Sequence, residues 1–161
     1  MDLTQYLSAD FQLFELIRTG HTEIDNTPSQ DVVDLLRLNA QTLWQKVRDK
    51  WGPQWVDNGY RCPELNAAVG GVTNPADPSA HIFGCAADLV PQVKGVTPTI
   101  IVAWLITSDL PFDQAIDETS KNGGRWLHLA GVRPGFHTVP RREALVTTDG
   151  KVYRPFPGGA K

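Results

Sequence analysis

The chain has 161 residues, 41% of them hydrophobic and 20% charged, and a formal net charge of −3. This length predicts one domain (1–161) around one core, with N-terminal helices (1–52), a central part (53–135) and a C-terminal hairpin and tail (136–161). No apolar run approaches the ~20 residues of a membrane span, so membrane insertion is excluded, and we expect a monomer.

The distribution of charge excludes a typical nucleic-acid binder, which would show a concentrated basic surface. Residues 125–161 do carry seven basic and two acidic side chains, but this pattern favours a solvated surface over a site for an anionic polymer. The start, Met1–Thr4, has neither a basic segment nor an apolar stretch. We therefore predict no secretory signal and expect synthesis in the cytoplasm.

Two helices are predicted before residue 53. Ser8 can cap a first helix, which Gly20 ends. The segment Thr27-Pro28-Ser29 begins a second, long helix, which Gly52-Pro53 breaks. Apolar residues recur along this second helix at helical spacing and predict a buried face, formed by Val32, Leu36, Leu43 and Val47.

The next segments are short. Gln54–Asp57 is predicted as a strand, and Pro63–Ala68 as a helix that Gly70-Gly71 ends. A proline-rich loop, Val72–Pro78, follows. Its carboxylate, Asp77, is a conceivable metal ligand, but a solvated loop acid is the favoured interpretation.

The stretch Ser79–Asp88 contains a histidine and a carboxylate seven residues apart, His81 and Asp88, with small residues between them. If Gly84 lets the chain turn sharply and the residues after it form a buried strand, both side chains can converge on one cation. This stretch therefore predicts half of a metal site.

The remaining segments are predicted as one helix followed by four strands. Pro98–Thr107 is predicted as a buried helix, although its β-branched residues leave a strand possible. Two strands, 112–118 and 125–132, follow and are joined by a glycine-rich loop. A last hairpin is predicted from Arg141–Thr147 and Lys151–Arg154.

The third metal ligand is predicted on the strand at 125–132. Alternation along it places Trp126, His128 and Ala130 on one face, which makes His128 the best candidate. His137 is the alternative, although it follows a Pro/Gly turn. Two imidazoles, one carboxylate and an open fourth position are the ligand set of a catalytic zinc.

Four motifs follow one another in the middle half of the chain: Gly-Tyr-Arg-x-Pro-x-Leu-Asn-x-Ala-Val-Gly-Gly (59–71), Ser-x-His-x-x-Gly-x-Ala-x-Asp (79–88), Phe-Asp-Gln-x-Ile (112–116) and Trp-x-His (126–128). In this order they resemble the zinc peptidases that cleave D-amino-acid bonds in peptidoglycan. That family includes D-alanyl-D-alanine carboxypeptidases, vancomycin-resistance D,D-dipeptidases and phage endolysins. The N-terminal run 7–29 is similar to the phage-borne members.

The resemblance implies an α+β single domain of the Hedgehog/DD-peptidase fold, in which a small antiparallel sheet carrying the zinc site packs against helices. It implies Zn²⁺ bound by His81, Asp88 and His128. It also implies hydrolysis of peptide bonds in peptidoglycan, by a phage or prophage endolysin that reaches the cell wall after release or as part of a virion.

In the family, the arginine of Gly-Tyr-Arg contacts the substrate or the transition state, which implies a catalytic and substrate-binding role for Arg61. A cation fixed near a substrate carbonyl or carboxylate is also what a peptidase needs. We expect three further residues to bind substrate: Tyr60, Ser79 and Gln114.

The general base is predicted by the resemblance and by strand alternation together. Several branches of the family carry an acid three residues before the last histidine, where this chain has Arg125, which cannot accept a proton. The phage-like branch has a glutamate shortly after Phe-Asp-Gln-x-Ile, which corresponds to Glu118. Alternation places Gln114 and Glu118 on one face and Asp117 on the other, so Asp117 is the alternative base.

Two other functions remain open from the sequence. The absence of an acid at position 125 favours a wall-binding or virion structural module that retains zinc without activity. The loop Val72–Pro78 departs from the family pattern and could close a cleft around small peptides, which would favour a D,D-dipeptidase or carboxypeptidase.

Overall fold

A six-stranded sheet lies at the centre of the structure, a computed structural model that describes residues 1–159. Its strands are β1 (Gln54–Asn58), β2 (Ala86–Pro91), β3 (Gln114–Thr119), β4 (Arg125–Ala130), β5 (Glu143–Thr147) and β6 (Arg154–Pro155). They lie side by side in the order β1-β2-β4-β3-β5-β6. The helices are α1 (Leu13–Ile17), α2 (Gln30–Asn39), α3 (Gln45–Trp51), α4 (Pro63–Ala68) and α5 (Pro98–Thr107). The architecture is therefore α+β, as predicted.

The sheet is antiparallel where it carries the metal cluster, as predicted, but it is mixed as a whole because one pair of strands is parallel. Strand β5 runs parallel to β3, while the other neighbouring strands are antiparallel. β4 ends beside the start of β3, with Ala130 opposite Gln114, and β5 begins at that same end, with Glu143 opposite Gln114. A strand that starts where β3 starts must run in the same direction.

The two faces of the sheet have different surroundings. Small and aliphatic side chains of one face belong to the main hydrophobic core, together with residues of α1, α2, α3 and α5; they are Ala87, Leu89, Ala115, Leu127 and Leu129. Residues one position along each strand face the other way, because side chains alternate. The candidate site lies on this second face.

The first predicted helix is much shorter than expected. α1 covers only Leu13–Ile17, and Gln12 rather than Ser8 stands at its N-cap. The Ser8 hydroxyl instead donates a hydrogen bond to Gln45 of α3, at 2.9 Å. The helix ends before Gly20, since Arg18 is already extended.

The second predicted helix is confirmed. Ser29 is its N-cap, accepting a hydrogen bond from the Val32 amide, and Gly52 ends the helical run with a φ of 83°. A π-helical segment, Ala40–Trp44, connects α2 to α3. The buried indole of Trp44 donates a hydrogen bond to the Leu129 carbonyl of β4. This contact fixes the long helical run against the sheet.

Other elements also follow the sequence pattern. Strand β1, α4 and α5 lie where they were predicted, with Thr97 as N-cap and Pro98 in the first turn of α5. Strands β3 and β4 pair as predicted, and β5 pairs with β6 as a hairpin, although β6 begins only at Arg154. Within residues 1–159, none of the helices has the length and apolar character needed to cross a membrane.

The turn between the two halves of the Ser79–Asp88 stretch depends on Gly84. A short 3₁₀ helix, Ala80–Phe83, ends at this glycine, whose φ of 69° is left-handed, and the buried strand β2 follows. A Cβ atom at this position would lie 2.9 Å from the Val32 carbonyl oxygen of α2. Both the backbone conformation and the close approach of α2 therefore require glycine.

We predict that Gly84→Ala lowers the free energy of unfolding more than Gly95→Ala does. Gly95 has a φ of 85° with open space around its Cβ position in the described chain, so its substitution costs only the conformational penalty of about 1–2 kcal/mol. Gly84→Ala adds a steric term of about 1 kcal/mol or more. Urea denaturation with a chelator present measures both; equal losses would contradict the steric argument.

Candidate metal centre

Three buried side chains from different elements converge: His81 from the 3₁₀ helix, Asp88 from β2 and His128 from β4. Asp88 and His128 are directly opposite each other across the β2–β4 pair. The Asp88 Oδ1 lies 2.9 Å from His128 Nδ1 and 3.5 Å from His81 Nε2, and the two imidazole nitrogens are 3.3 Å apart. Sheet register and the turn at Gly84 together produce this cluster.

The donor atoms fit a zinc ion. Ligands about 2.0–2.2 Å from a tetrahedral zinc lie roughly 3.3–3.6 Å from one another, close to the spacing of these three atoms. The Nδ1 of His81 donates to the Gly59 carbonyl at 2.6 Å, so its Nε2 presents a lone pair to the cluster. An imidazole nitrogen held in this way is ready to bind a cation.

The pKa shifts of His81 and Asp88 also favour the binding of a metal ion here. Burial lowers the pKa of His81, which keeps the imidazole neutral. Burial acts to raise the pKa of Asp88, but the electrostatic and hydrogen-bond interactions with His81 and His128 outweigh it and hold this pKa well below its ordinary value. The cluster thus offers a cation one buried negative charge on Asp88 and the lone pair of a neutral His81.

The two alternative ligands lie elsewhere. Arg133 donates to the Asp77 carboxylate at 2.6 Å and also contacts His137, whose Nε2 is 3.1 Å from the same guanidinium nitrogen. Arg133 also donates to the Pro78 carbonyl. Asp77 and His137 are therefore partners of an arginine at the loop Val72–Pro78, and neither belongs to the cluster of three.

A cleft of about 720 Å³ opens over the metal cluster. The predicted residues Arg61, Ser79, Gln114 and Glu118 line it. The Gln114 amide donates to the Glu143 carboxylate at 2.6 Å. Tyr60, in contrast, is only 8% exposed and lies in the hydrophobic core, so the structure does not bring it to the cleft.

The two adjacent acids of β3 lie on opposite faces of the sheet. Glu118 is opposite Trp126 in the β3–β4 pair, on the face of His128, and it lines the cleft. Asp117 is 3% exposed on the helix side, where it accepts hydrogen bonds from Arg125 and Thr99. Burial raises the pKa of Glu118.

Arg61 reaches the cleft as an unpaired cation. Its guanidinium makes no ion pair within residues 1–159, and its buried Nε has no hydrogen-bond partner there. Its backbone is held firmly, because its amide donates to the His81 carbonyl at 3.2 Å. The buried amide of Asn26 bonds to the Tyr60 carbonyl and the Cys62 amide on either side.

Two residues of this site were not predicted from the sequence. Asn26 lies in a polar turn between two predicted helices. No local sequence pattern there indicates that its side chain binds the backbone on both sides of Arg61. Tyr153 lines the cleft from the β5–β6 connection, and its hydroxyl donates to Glu118 at 3.1 Å. The hairpin was predicted, but its place beside β3 was not.

Comparison with protein families agrees with the geometry. A sequence model described as Peptidase M15 matches residues 9–122, which is more than half of the chain. The protein belongs to the Peptidase M15 family and is a zinc-dependent peptidase by class. Comparison with curated proteins gave no match. The motif resemblance and the zinc cofactor are thus confirmed, while the phage-like branch stays a prediction.

We predict about one zinc per chain in the metal-loaded protein, lost in His81→Ala and in His128→Ala, because each removes one of three ligands. Elemental analysis after dialysis measures this. His21→Ala is the matched control, since His21 is a surface residue paired with Glu23. Full zinc in both cluster variants would place the metal elsewhere.

Proposed function

We propose that the protein hydrolyses peptide bonds in bacterial peptidoglycan, within a stem peptide or a cross-bridge and next to a D-amino acid. One observation carries this proposal: a single cleft contains the His81, Asp88 and His128 cluster, the unpaired cation of Arg61 and the carboxylate of Glu118. Peptide hydrolysis needs a metal, a cation for substrate oxygens and a proton acceptor, and these residues meet each need.

His81, Asp88 and His128 hold the zinc in this proposal. When bound, zinc supplies Lewis-acid chemistry, lowering the pKa of a water and polarising the scissile carbonyl. The Gly59 carbonyl keeps His81 in the tautomer that presents Nε2. The charge of Asp88 offsets part of the metal charge and reduces the cost of burying it.

Glu118 acts as the general base. It takes a proton from the attacking water and passes it to the leaving amine, which requires a carboxylate that is ionised yet has a raised affinity for protons. Burial in the cleft raises the pKa of Glu118, which increases its affinity for a proton. Asp117 is unsuited to the role, because Arg125 and Thr99 hold it on the other face of the sheet.

Arg61 binds a carbonyl or carboxylate oxygen of the substrate. Its guanidinium lines the cleft without an ion-pair partner in the described chain, and Asp88 and Glu118 are the charges that act on it. Ser79 and Gln114, on the cleft wall, offer a hydroxyl and an amide to the peptide backbone. Tyr60 takes no part in binding in this proposal.

A phage or prophage endolysin is the biological role that the motifs favour. The rival interpretation, a silent zinc-retaining wall-binding or virion module, rested on the missing acid at position 125. Arg125 is ion-paired to Asp117 on the helix side of the sheet. An acid at that position would face away from the cleft, so its absence does not argue against catalysis.

A second candidate function is a D,D-carboxypeptidase or dipeptidase that acts on small peptides. Val72, Asp77 and Pro78 line the cleft, and the buried Arg133 holds the last two of them through hydrogen bonds. A loop fixed over one wall restricts the length of peptide that can enter. This observation favours short substrates.

Digestion of purified peptidoglycan and of soluble stem peptides, read by mass spectrometry, tests the proposal. We expect new amino termini at one defined bond and loss of activity on chelation, with recovery when zinc is added. Cleavage of the intact wall indicates an endolysin, whereas release of D-alanine from soluble peptides alone indicates the second candidate. No cleavage of any preparation would contradict a peptidase.

We predict that Glu118→Gln keeps zinc and fold but lowers kcat by about 10²–10⁴-fold, because the amide preserves shape without accepting a proton. Asp117→Asn is the matched control. It should keep kcat per folded molecule while lowering the free energy of unfolding by about 1–3 kcal/mol, since a charged hydrogen-bond partner of Arg125 is lost. The reverse pattern, with Asp117→Asn inactive and Glu118→Gln active, would make Asp117 the base.

A further inference from the structure

The side chain of Glu118 accepts a hydrogen bond from a residue 35 positions further along the chain. The Tyr153 hydroxyl donates to Glu118 Oε1 at 3.1 Å, and the indole of Trp126, the register partner of Glu118 on β4, is a second polar group acting on this carboxylate. Burial and the adjacent carboxylate raise the pKa of Tyr153, so the phenol stays protonated and remains the donor. Both residues line the cleft.

The segment that presents Tyr153 is ordered by its own hydrogen bonds. Asp149 Oδ1 accepts from the amides of Lys151 and Val152, each at 2.9 Å. Thr147 Oγ1 accepts from the Gly150 amide at 3.1 Å. These bonds shape the connection between β5 and β6, so that Tyr153 leaves it in a fixed direction.

The same segment is tied to the strand that carries Glu118. Thr147, at the end of β5, is the register partner of Glu118 in the parallel β3–β5 pair. Gly150 has a φ of 66°, and a Cβ at this position would lie 3.9 Å from Glu118 Oε1. The connection thus packs against the carboxylate that Tyr153 binds.

A carboxylate in this position needs an external restraint. Glutamate has three rotatable side-chain bonds, and the negative charge of Asp88 acts on Glu118 from the metal cluster. A hydrogen bond to Oε1 removes part of that freedom, while the ionised carboxylate keeps acceptor capacity on Oε2. A general base works best when it is held in place before the substrate binds.

We propose that Tyr153 is a positioning residue for the reaction: its hydroxyl holds Oε1 of Glu118, so that Oε2 faces the water that attacks the substrate. This inference rests on the proposed role of Glu118 as the base. Tyr153 is 44% exposed and lies outside the hydrophobic core, so a purely structural role would leave the hydroxyl without effect on catalysis.

Tyr153→Phe removes the hydroxyl and keeps the ring. With muropeptides released by a muramidase as substrate and amine formation as the readout, we expect kcat to fall about 10-fold and KM to stay within about 2-fold. Zinc content and the urea midpoint should be unchanged. Tyr6→Phe, at an exposed tyrosine near the N-terminus, is the matched control and should keep the parent kcat.

A double variant separates positioning from other roles. If Tyr153 acts through Glu118, then Tyr153→Phe added to Glu118→Gln lowers kcat no further, within about 2-fold. A further 10-fold loss in the double variant overturns the inference, because Tyr153 would then act independently. A raised KM with unchanged kcat in Tyr153→Phe also overturns it, by making Tyr153 a substrate contact.

The outcomes distinguish this inference from the proposed function. If Glu118→Gln is impaired while Tyr153→Phe matches the parent enzyme, the positioning role alone fails. If Glu118→Gln keeps full activity, the base assignment fails and the positioning role falls with it. An inactive parent protein with a full zinc content overturns both.

Discussion

The buried carboxylate of Asp88 is the constraint on which the rest of the structure depends. An ionised carboxylate inside a protein is costly unless cations or hydrogen-bond donors compensate it, and here its partners are His81 and His128. The Gly59 carbonyl accepts a hydrogen bond from Nδ1 of His81, which leaves the lone pair of the imidazole on Nε2. The cluster therefore has the charge and the lone pair that suit a bound cation. The left-handed turn at Gly84 and the register of β2 with β4 are both required for this arrangement.

Hydrogen bonds link the Arg61 segment directly to the metal cluster. The Arg61 amide donates to the carbonyl of His81, while the His81 ring donates back to the residue two positions before Arg61. Asn26 then fixes the peptide groups of Tyr60 and Cys62 on either side. These hydrogen bonds therefore set the position of the Arg61 backbone relative to the metal cluster, and such preorganisation is what an active site requires.

The parts of the site that the sequence predicted are those encoded locally. The stretch Ser79–Asp88 places two ligands through one turn, and alternation along β3 correctly predicted the face of Glu118. The features that the sequence did not predict involve partners that are distant in sequence. Ser8 pairs with Gln45 instead of capping a helix, and β5 joins β3 in parallel because of where the preceding connection ends. The place of Tyr153 depends on that same long-range pairing, which periodicity does not encode.

The register of β3 decides which of two neighbouring acids faces the cleft. Asp117 faces the helices, where Arg125 and Thr99 occupy both of its oxygens, whereas Glu118 faces the cleft without an ion-pair partner among residues 1–159. A slip of one residue would exchange these environments, turning Glu118 toward the core and removing its carboxylate from the cleft. Strand β3 is paired on both sides, antiparallel with β4 and parallel with β5, which opposes such a slip. The parallel strand β5 thus shapes the cleft in two ways: it restrains the register of β3, and it leads into the segment that carries Tyr153 to Glu118.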